Sequence, residues 1–535
     1  MVLIMLTACT SVPDESGQPD NGTAAPPTEA PATEQPVEDT PVQPQTQPPE
    51  TGELPLTMPG AGFTFDDAPA PEFINVSVHD PSVFPAGDGT YYVMGSHLAV
   101  AKTTDFIKWQ QVTADWRGRQ NSFYPADNSD PAVQTMQQQS EDVLRGAENA
   151  LGFFAGDIHR MPDGRFFQYY CLTASWKCSA IGVAISDSGP EGPYVTSGLF
   201  VRSAMAGENK TPDGSDTWTE RRYPNCIDPQ AFFDRDGIFW MVYGSWSGGI
   251  FIMEIDQTTG MPVEDSEINK ENGGYGRVLI TGSHASIEGP YIIYSPESEY
   301  YYLFVSYGGL ASSGGYNIRV FRSRSVTGPY EDGKLADAAE KRVTNPGAQE
   351  YGVKLMGSYQ FRLEEGETGR TTGYLSPGHN SVLYDSDTER YLVIFHQRFT
   401  GRGEVHEVRV HEMFINVNGW PVIAPYRYDG GTVRTFTQEQ LTGSWKLINH
   451  QRNNNPTAYI SRTMHFLADG TVAGEWEGTW ELGSDGKTAR ITLGTTVFDG
   501  VFLRCWDHDN GMWVQALTAL SADGRALWGS GVALG

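Results

Sequence analysis

The chain has 535 residues, of which 66 are acidic and 37 basic, giving a formal net charge of −29. A surface that negative repels phosphate backbones, which argues against nucleic acid as a partner and leaves neutral polymers open. The length calls for two or more domains, and aromatic runs bounded by Asp-Gly and Pro-Gly turns predict a chain that is almost wholly β.

The chain opens MVLIMLTACTSVPDESG. An apolar run closing on Leu6-Thr7-Ala8-Cys9 predicts a lipoprotein export signal over residues 1–9, with Cys9 as the lipidated residue. The alternative is an ordinary secretory signal in which the cysteine is incidental. The run is too short to span a bilayer, so the expected membrane attachment is the lipid on Cys9 alone, at the cell surface. Residues 10–65, rich in Pro, Thr, Glu and Gln, predict a disordered tether that cannot bury enough surface to offset its ordering entropy. Export permits disulfides among Cys171, Cys178, Cys226 and Cys505, and the first two are close enough in sequence to pair. No Cys-His metal spacing is present.

Residues 66–430 carry an internal repeat. HDPSVFPAGDGTYYVMGS begins at His79, GDIHRMPDGRFFQYY at Gly156, IDPQAFFDRDGIFWMVYGS at Ile227, IEGPYIIYSPESEYYYLFVS at Ile287 and GHNSVLYDSDTERYLVIFHQ at Gly378. Each unit runs polar residue, short apolar strand, turn, strongly aromatic strand, which is a hairpin pattern. The polar residues are Asp80, Asp157, Asp228, Glu288 and His379, separated by gaps long enough for one four-stranded sheet each. Five such sheets repeated radially predict a five-bladed β-propeller. The first strand of each blade lines the channel, so these residues are expected to meet at the axis. Glu288 starts such a strand, whereas the similar EGPY at Glu191 falls late in its blade, where SVTGPYED carries Thr327 instead.

Carboxyls gathered on one axis suit glycosidic bond cleavage, in which one protonates the leaving oxygen and another activates water. The acid must keep its proton near neutral pH, and a neighbouring carboxylate raises its pKa. Asp228 is placed to do this for Glu288, leaving Asp80 as base. His379, beside carboxylates, is a candidate ligand for a metal or its water shell.

These stretches, with VHDPSVF, FAGDI, LSPGHNSVLYD and HEVRVHEMFINVNGWPVIAPYRY, occur in the order seen in glycoside hydrolase family 43 and cover roughly residues 73–428. The chain resembles that family, and within it the bacterial endo-α-1,5-L-arabinanases that carry an extra C-terminal domain. The resemblance implies an inverting enzyme acting on arabinan, a polysaccharide of pectin side chains. It implies Asp80 as general base, Glu288 as general acid and Asp228 as the carboxylate that tunes and orients the acid. His379 matches an axial histidine associated with one calcium ion held largely through waters. Gly156, Asp157, Asn225, Cys226, Ile227, Ser245, Trp246, Ser247 and His284 match positions that line sugar subsites. Trp246 is suited to stack on a furanose ring, or else packs in the core. Phe154 and Ser286 depart from the family pattern, which usually has Trp and often Arg there. Insertions around 116–150 and 203–222 are expected to reshape the cleft.

Residues 431–535 alternate apolar and polar residues between tight turns and predict a small antiparallel β-barrel or sandwich. Trp476, Trp480, Trp506 and Trp513 are read as core residues first and glycan contacts second. Two further functional readings stand beside the endo-acting one: an exo-α-L-arabinofuranosidase or β-xylosidase of the same family, and a non-catalytic surface glycan-binding lipoprotein. The chain is expected to act as a monomer.

Overall fold

The computed structural model describes residues 54–60, 65, 69–114, 153–175, 178–204, 209–334, 337–339, 350–431 and 435–534. The export signal with Cys9, most of the tether and the 116–150 insertion lie outside these residues.

Five sheets, each with four main strands paired antiparallel, follow one another along the chain. Blade I is Ser82–Pro85, Tyr91–Met94, Val100–Thr103 and Gln110–Thr113. Blade II is Phe153–Arg160, Phe166–Ser175, Cys178–Ser186 and Val195–Arg202. Blade III is Gln230–Phe233, Phe239–Tyr243, Gly249–Glu254 and Arg277–Thr281. Blade IV is Ile287–Ser295, Tyr300–Tyr307, Asn317–Ser323 and Val353–Met356. Blade V is Tyr374–Asp385, Arg390–Phe399, His406–Ile415 and Pro421–Ile423, extended by the short pieces Tyr359–Gln360 and Tyr459–Ile460.

The aromatic strands form these sheets because each is covered on both faces by its neighbours. A buried cluster fills every gap between blades: Phe84 with Tyr170, Tyr169 with Phe239, Val242 with Leu303, Phe304 with Phe395, and Val93 with Ile394. Each such side chain, once buried, contributes roughly 1.5–3 kcal/mol. The last cluster joins blade V to blade I, and the Val408 N–H donates to the Val76 carbonyl there at 3.0 Å, closing the ring.

The C-terminal domain is a closed eight-stranded barrel running from Gly443–His450 to Ala526–Gly531. Trp445, Phe466, Trp480 and Phe502 fill its interior, so it is a packed core and not a ligand cup. Trp480 is in that core and Trp476 packs against it, while Trp506 and Trp513 meet edge to face outside it.

The barrel is sewn to the propeller by buried polar groups. Arg319 of blade IV is fully buried and donates to the Arg452 carbonyl and to Asn454 Oδ1. Lys354 Nζ donates to the Asn453 carbonyl at 2.7 Å. Lys446 and Glu367 form an enclosed ion pair at 2.8 Å.

Two expectations are corrected here. No disulfide joins the four described cysteines, Cys171, Cys178, Cys226 and Cys505; the first two lie on adjacent strands but out of register, Cys171 opposite Ile181 and Cys178 opposite Ser175. The tether was expected to reach residue 65, yet Thr57–Gly60 dock on the barrel. The Ser444 N–H donates to the Thr57 carbonyl and Gln515 Nε2 to the Pro59 carbonyl, giving that backbone partners a free tether lacks.

Candidate active site

Each inner strand has a residue in the left-handed region, just before it at Asp80 (φ 57°) and Asp228 (57°) and within its first half at Ala155 (33°), Gly289 (58°) and His379 (48°). Such a conformation is uncommon outside glycine, and where it persists it marks a place where the surrounding structure holds the backbone. It kinks the chain at the mouth of the channel. Gly289 serves blade IV because a Cβ there would press on the His379 ring at 3.2 Å. Glu288 therefore enters the mouth one residue earlier than Asp80, Asp228 and His379 do.

The same register moves Asp157. It lies two residues past the kink, level with Ser82, Gln230, Tyr291 and Ser381, and these residues link blade to blade. Ser82 Oγ donates to Asp157 Oδ1 at 2.5 Å and the Ala231 N–H to Oδ2 at 2.8 Å. Gln230 exchanges two bonds with the Ile292 backbone, and Ser381 Oγ donates to the Pro81 carbonyl. Asp157 is thus a clasp in a buried floor beneath the mouth, and burial pushes its carboxyl up to about 6. Gly156 is packed against Met94 and the Tyr169 carbonyl, with no room for a Cβ. Sequence spacing alone could not separate the two levels, because adjacent repeats differ by a bulge.

Asp80 is 7% exposed and enclosed by donors. His79 Nδ1 lies 2.7 Å from Oδ2, Ser96 Oγ donates to Oδ2 at 2.5 Å, and His379 Nδ1 lies 3.1 Å from Oδ1. Arg398 Nη2 donates to His79 Nε2 at 3.2 Å, which leaves the His79 proton on Nδ1, facing Asp80. Arg398 is in turn held by Glu404 at 2.8 Å. Burial alone would push the Asp80 carboxyl up, but His379, His79 and His396 more than reverse this and hold it well below the ordinary carboxylate range. It is built to stay ionised.

Glu288 is half-buried and accepts three hydrogen bonds. Tyr316 OH donates to Oε1 at 2.7 Å, Ser245 Oγ to Oε2 at 3.0 Å and Trp246 Nε1 to Oε2 at 3.1 Å. Asp228, 5% exposed, accepts one bond, from the Gly289 N–H at 3.1 Å. Burial pushes the Asp228 carboxyl well up, and the charges of Glu288 and Asp80 add to this. Burial also raises Glu288, with His379 and the Tyr316 hydroxyl pulling partly against it. Asp228 is raised further because it has fewer donors among the described residues, and a charge on Glu288 opposes its ionisation.

Among the remaining expected subsite positions, Trp246 is half-exposed at the rim, its ring 5.5 Å from that of His284. The His284 N–H donates to the Ser247 carbonyl, tying the two loops together. Ile227 is half-buried. Asn225, bonded to Ser179, and Cys226, whose N–H donates to Ser203, are buried beneath the rim. Phe154 sits at the rim against His97, and Ser286 is buried, its carbonyl accepting from Gly308.

Sequence reasoning missed Ser96, His79, His396 and Tyr316. Tyr316 lies on the loop before a different strand from Glu288, and nothing in its spacing links the two. Its ring stacks on His396, and Gly378 leaves it room, since a Cβ there would stand 2.1 Å from the ring. Tyr316→Phe is expected to lower kcat roughly tenfold. A donor to the charged carboxylate lowers its pKa, so losing it should move the alkaline limb of kcat/KM to higher pH. An unmoved limb would show that Tyr316 does not hold Glu288.

His379 engages Asp80 through Nδ1 and has one other ring nitrogen to offer. Among the described residues, the cluster of three close His and carboxylate donors is His79, Asp80 and His396, without His379. A hard cation such as calcium takes six to eight oxygens. His379 therefore fits an ion whose shell is mostly water.

An ionised carboxylate at the same mouth as a carboxyl pushed toward its protonated form is the pairing of acid and base that splits glycosidic bonds. The chain belongs to the glycosyl hydrolases family 43, whose family profile matches residues 71–421; a C-terminal lipocalin-like domain matches residues 425–529. It is 42% identical to extracellular endo-alpha-(1->5)-L-arabinanase 2 of Bacillus subtilis over 89% of this chain and 97% of that one. It is 38% identical to extracellular endo-alpha-(1->5)-L-arabinanase of Thermotoga petrophila over 86% of this chain and 94% of that one. The crystal structure of the endo-1,5-alpha-L-arabinanase from Thermotoga petrophila RKU-1 superposes with a TM-score of 0.77 at 38% identity, covering 86% of this chain and 99% of that one.

Proposed function

We propose that the protein is an endo-1,5-α-L-arabinanase that cleaves arabinan with inversion. The observation that carries this is the contrast at the mouth between Asp80, enclosed by His79, Ser96 and His379, and Glu288, held by Tyr316, Ser245 and Trp246 next to the residue whose N–H the buried Asp228 accepts. The relatives at 42% and 38% identity, matched over most of both chains, supply the substrate.

Asp80 takes a proton from the attacking water. Glu288 gives one to the glycosidic oxygen as its bond to the anomeric carbon breaks. Asp228 holds Gly289 through its N–H and keeps a second negative charge from forming beside it. Trp246 and Tyr316 fix the Glu288 carboxyl, so the proton is presented in one direction. One chain carries every group named, consistent with a monomer. Export fits the extracellular relatives, with Cys9 as the lipid attachment.

His379 is the side chain that would hold a calcium ion, through its remaining ring nitrogen and waters. Such an ion supplies positive charge among the axial carboxylates. On linear arabinan, viscosity should fall well before reducing sugar accumulates, and a chelator should lower the rate until calcium is restored. Release of monosaccharide alone would defeat the endo reading, and indifference to the chelator would defeat the calcium site.

A further inference from the structure

A cavity of about 550 Å³ opens between blade V and the barrel, outside the mouth. Four arginines line it, Arg370, Arg402, Arg409 and Arg427, in a protein whose net charge is −29. Their carboxylate partners among the described residues are two: Glu407 pairs with Arg402 at 2.8 Å and Arg409 at 2.7 Å, and Asp509 pairs with Arg370 at 3.2 Å. His508 Nε2 lies 2.8 Å from Arg370 Nη2. Arg427 ion-pairs with no carboxylate among those residues; it donates to Asn75 Oδ1 at 2.9 Å and lies over the Phe73 ring. Arg409 is 5% exposed, and its Nε is buried without a hydrogen-bond partner among the described residues.

We propose that this cavity binds the carboxylate of an acidic sugar, a uronate, on the polysaccharide that the enzyme works upon. Guanidinium forks match carboxylates in geometry as well as charge. The volume lies within the range of small-molecule sites, far beyond what a bare inorganic anion fills. Thr371, Thr372, Thr400 and Gln360 offer hydroxyl and amide groups for sugar hydroxyls, and Tyr374 an aromatic wall. The site is well placed for a polymer. Tyr374 of the cavity wall and His379 of the mouth lie on one strand, Tyr374–Asp385, with their Cα atoms roughly 17 Å apart at most. A neutral arabinan segment in the mouth would bring acidic residues of the same polymer within reach. The inference rests on the proposed arabinanase reading for its purpose, but the binding itself does not depend on turnover.

The test is calorimetric titration of the full chain with tri-galacturonate at low salt, with inorganic sulfate and a neutral arabinotriose as separate arms. The exposed pair is replaced in one variant, Arg370→Gln with Arg402→Gln, and Arg409→Met is made separately. Tri-galacturonate should bind the parent, weaken as salt rises, and bind the double variant at least about tenfold more weakly. Hydrolysis of short neutral arabino-oligosaccharides by the double variant should be unchanged. Absence of tri-galacturonate binding would overturn the proposal, as would sulfate binding as tightly as the trimer or unchanged affinity in a folded double variant. If tri-galacturonate binds as expected but arabinan is not hydrolysed, the acidic-sugar site stands and the functional reading falls.

Discussion

Asp80→Asn should lower kcat on linear arabinan by about 10²–10⁴-fold while leaving KM within a small factor. The substitution keeps the size of the side chain and removes its ability to take a proton from water. His79, Ser96 and His379 hold the parent carboxylate in place, so the loss is chemical before it is structural. The sign of the pH dependence follows from the same contacts. A base whose pKa is depressed stays active down to acid pH, so the acid limb of the parent should lie below the ordinary carboxylate range. Initial rates, with a melting curve to show that the variant is folded, decide the matter. A folded variant within tenfold of the parent would remove Asp80 from the role of base.

Glu288→Gln should cost a similar factor on arabinan, where the leaving alkoxide needs a proton. It should cost far less on an aryl arabinobioside, whose phenolate departs without one. Equal losses on both substrates would mean that Glu288 is not the proton donor. Asp228 gives a second handle. The pair loses its last proton on the alkaline side, at an apparent value raised by burial and by mutual repulsion. Activity is present below that value and lost as pH rises through it. Asp228→Asn leaves Glu288 without its negative neighbour, so the alkaline limb should move to lower pH. A limb that stays put, or moves upward, would show that Asp228 does not tune the acid.

Much of this was legible in the residues. A repeat of polar residue, apolar strand, turn and aromatic strand has few ways to bury its aromatics other than radial stacking, and the blades follow. Glu191 and Glu288 were separable because only one opens a repeat. Glu191 accepts from Tyr92 OH and Lys102 Nζ, and its neighbour Tyr194 bonds the Pro190 carbonyl just as Tyr330 bonds that of Val326. Thr327, not Glu288, is therefore its counterpart.

Other features were hidden for physical reasons. Asp157 looked like a mouth residue because a bulge of one or two residues is invisible in sequence spacing, yet it decides whether a side chain reaches the mouth or the floor. Tyr316 and Ser96 reach the carboxyls through loops whose course no local pattern dictates. The arginine-lined cavity draws on Asn75, blade V and the barrel turn at His508, which meet only after folding.

The polar stitching between the domains sets an order on synthesis. Arg319 and Lys354 leave the ribosome well before the backbone carbonyls of Arg452 and Asn453 that receive them, by 133 and 99 residues. Before then, Arg319 has acceptors within its own domain at Asn317 Oδ1 and the Tyr351 carbonyl, while its Nη2 and the Lys354 ammonium face water. The seam between the domains is therefore dried and completed only when the last part of the chain has been made.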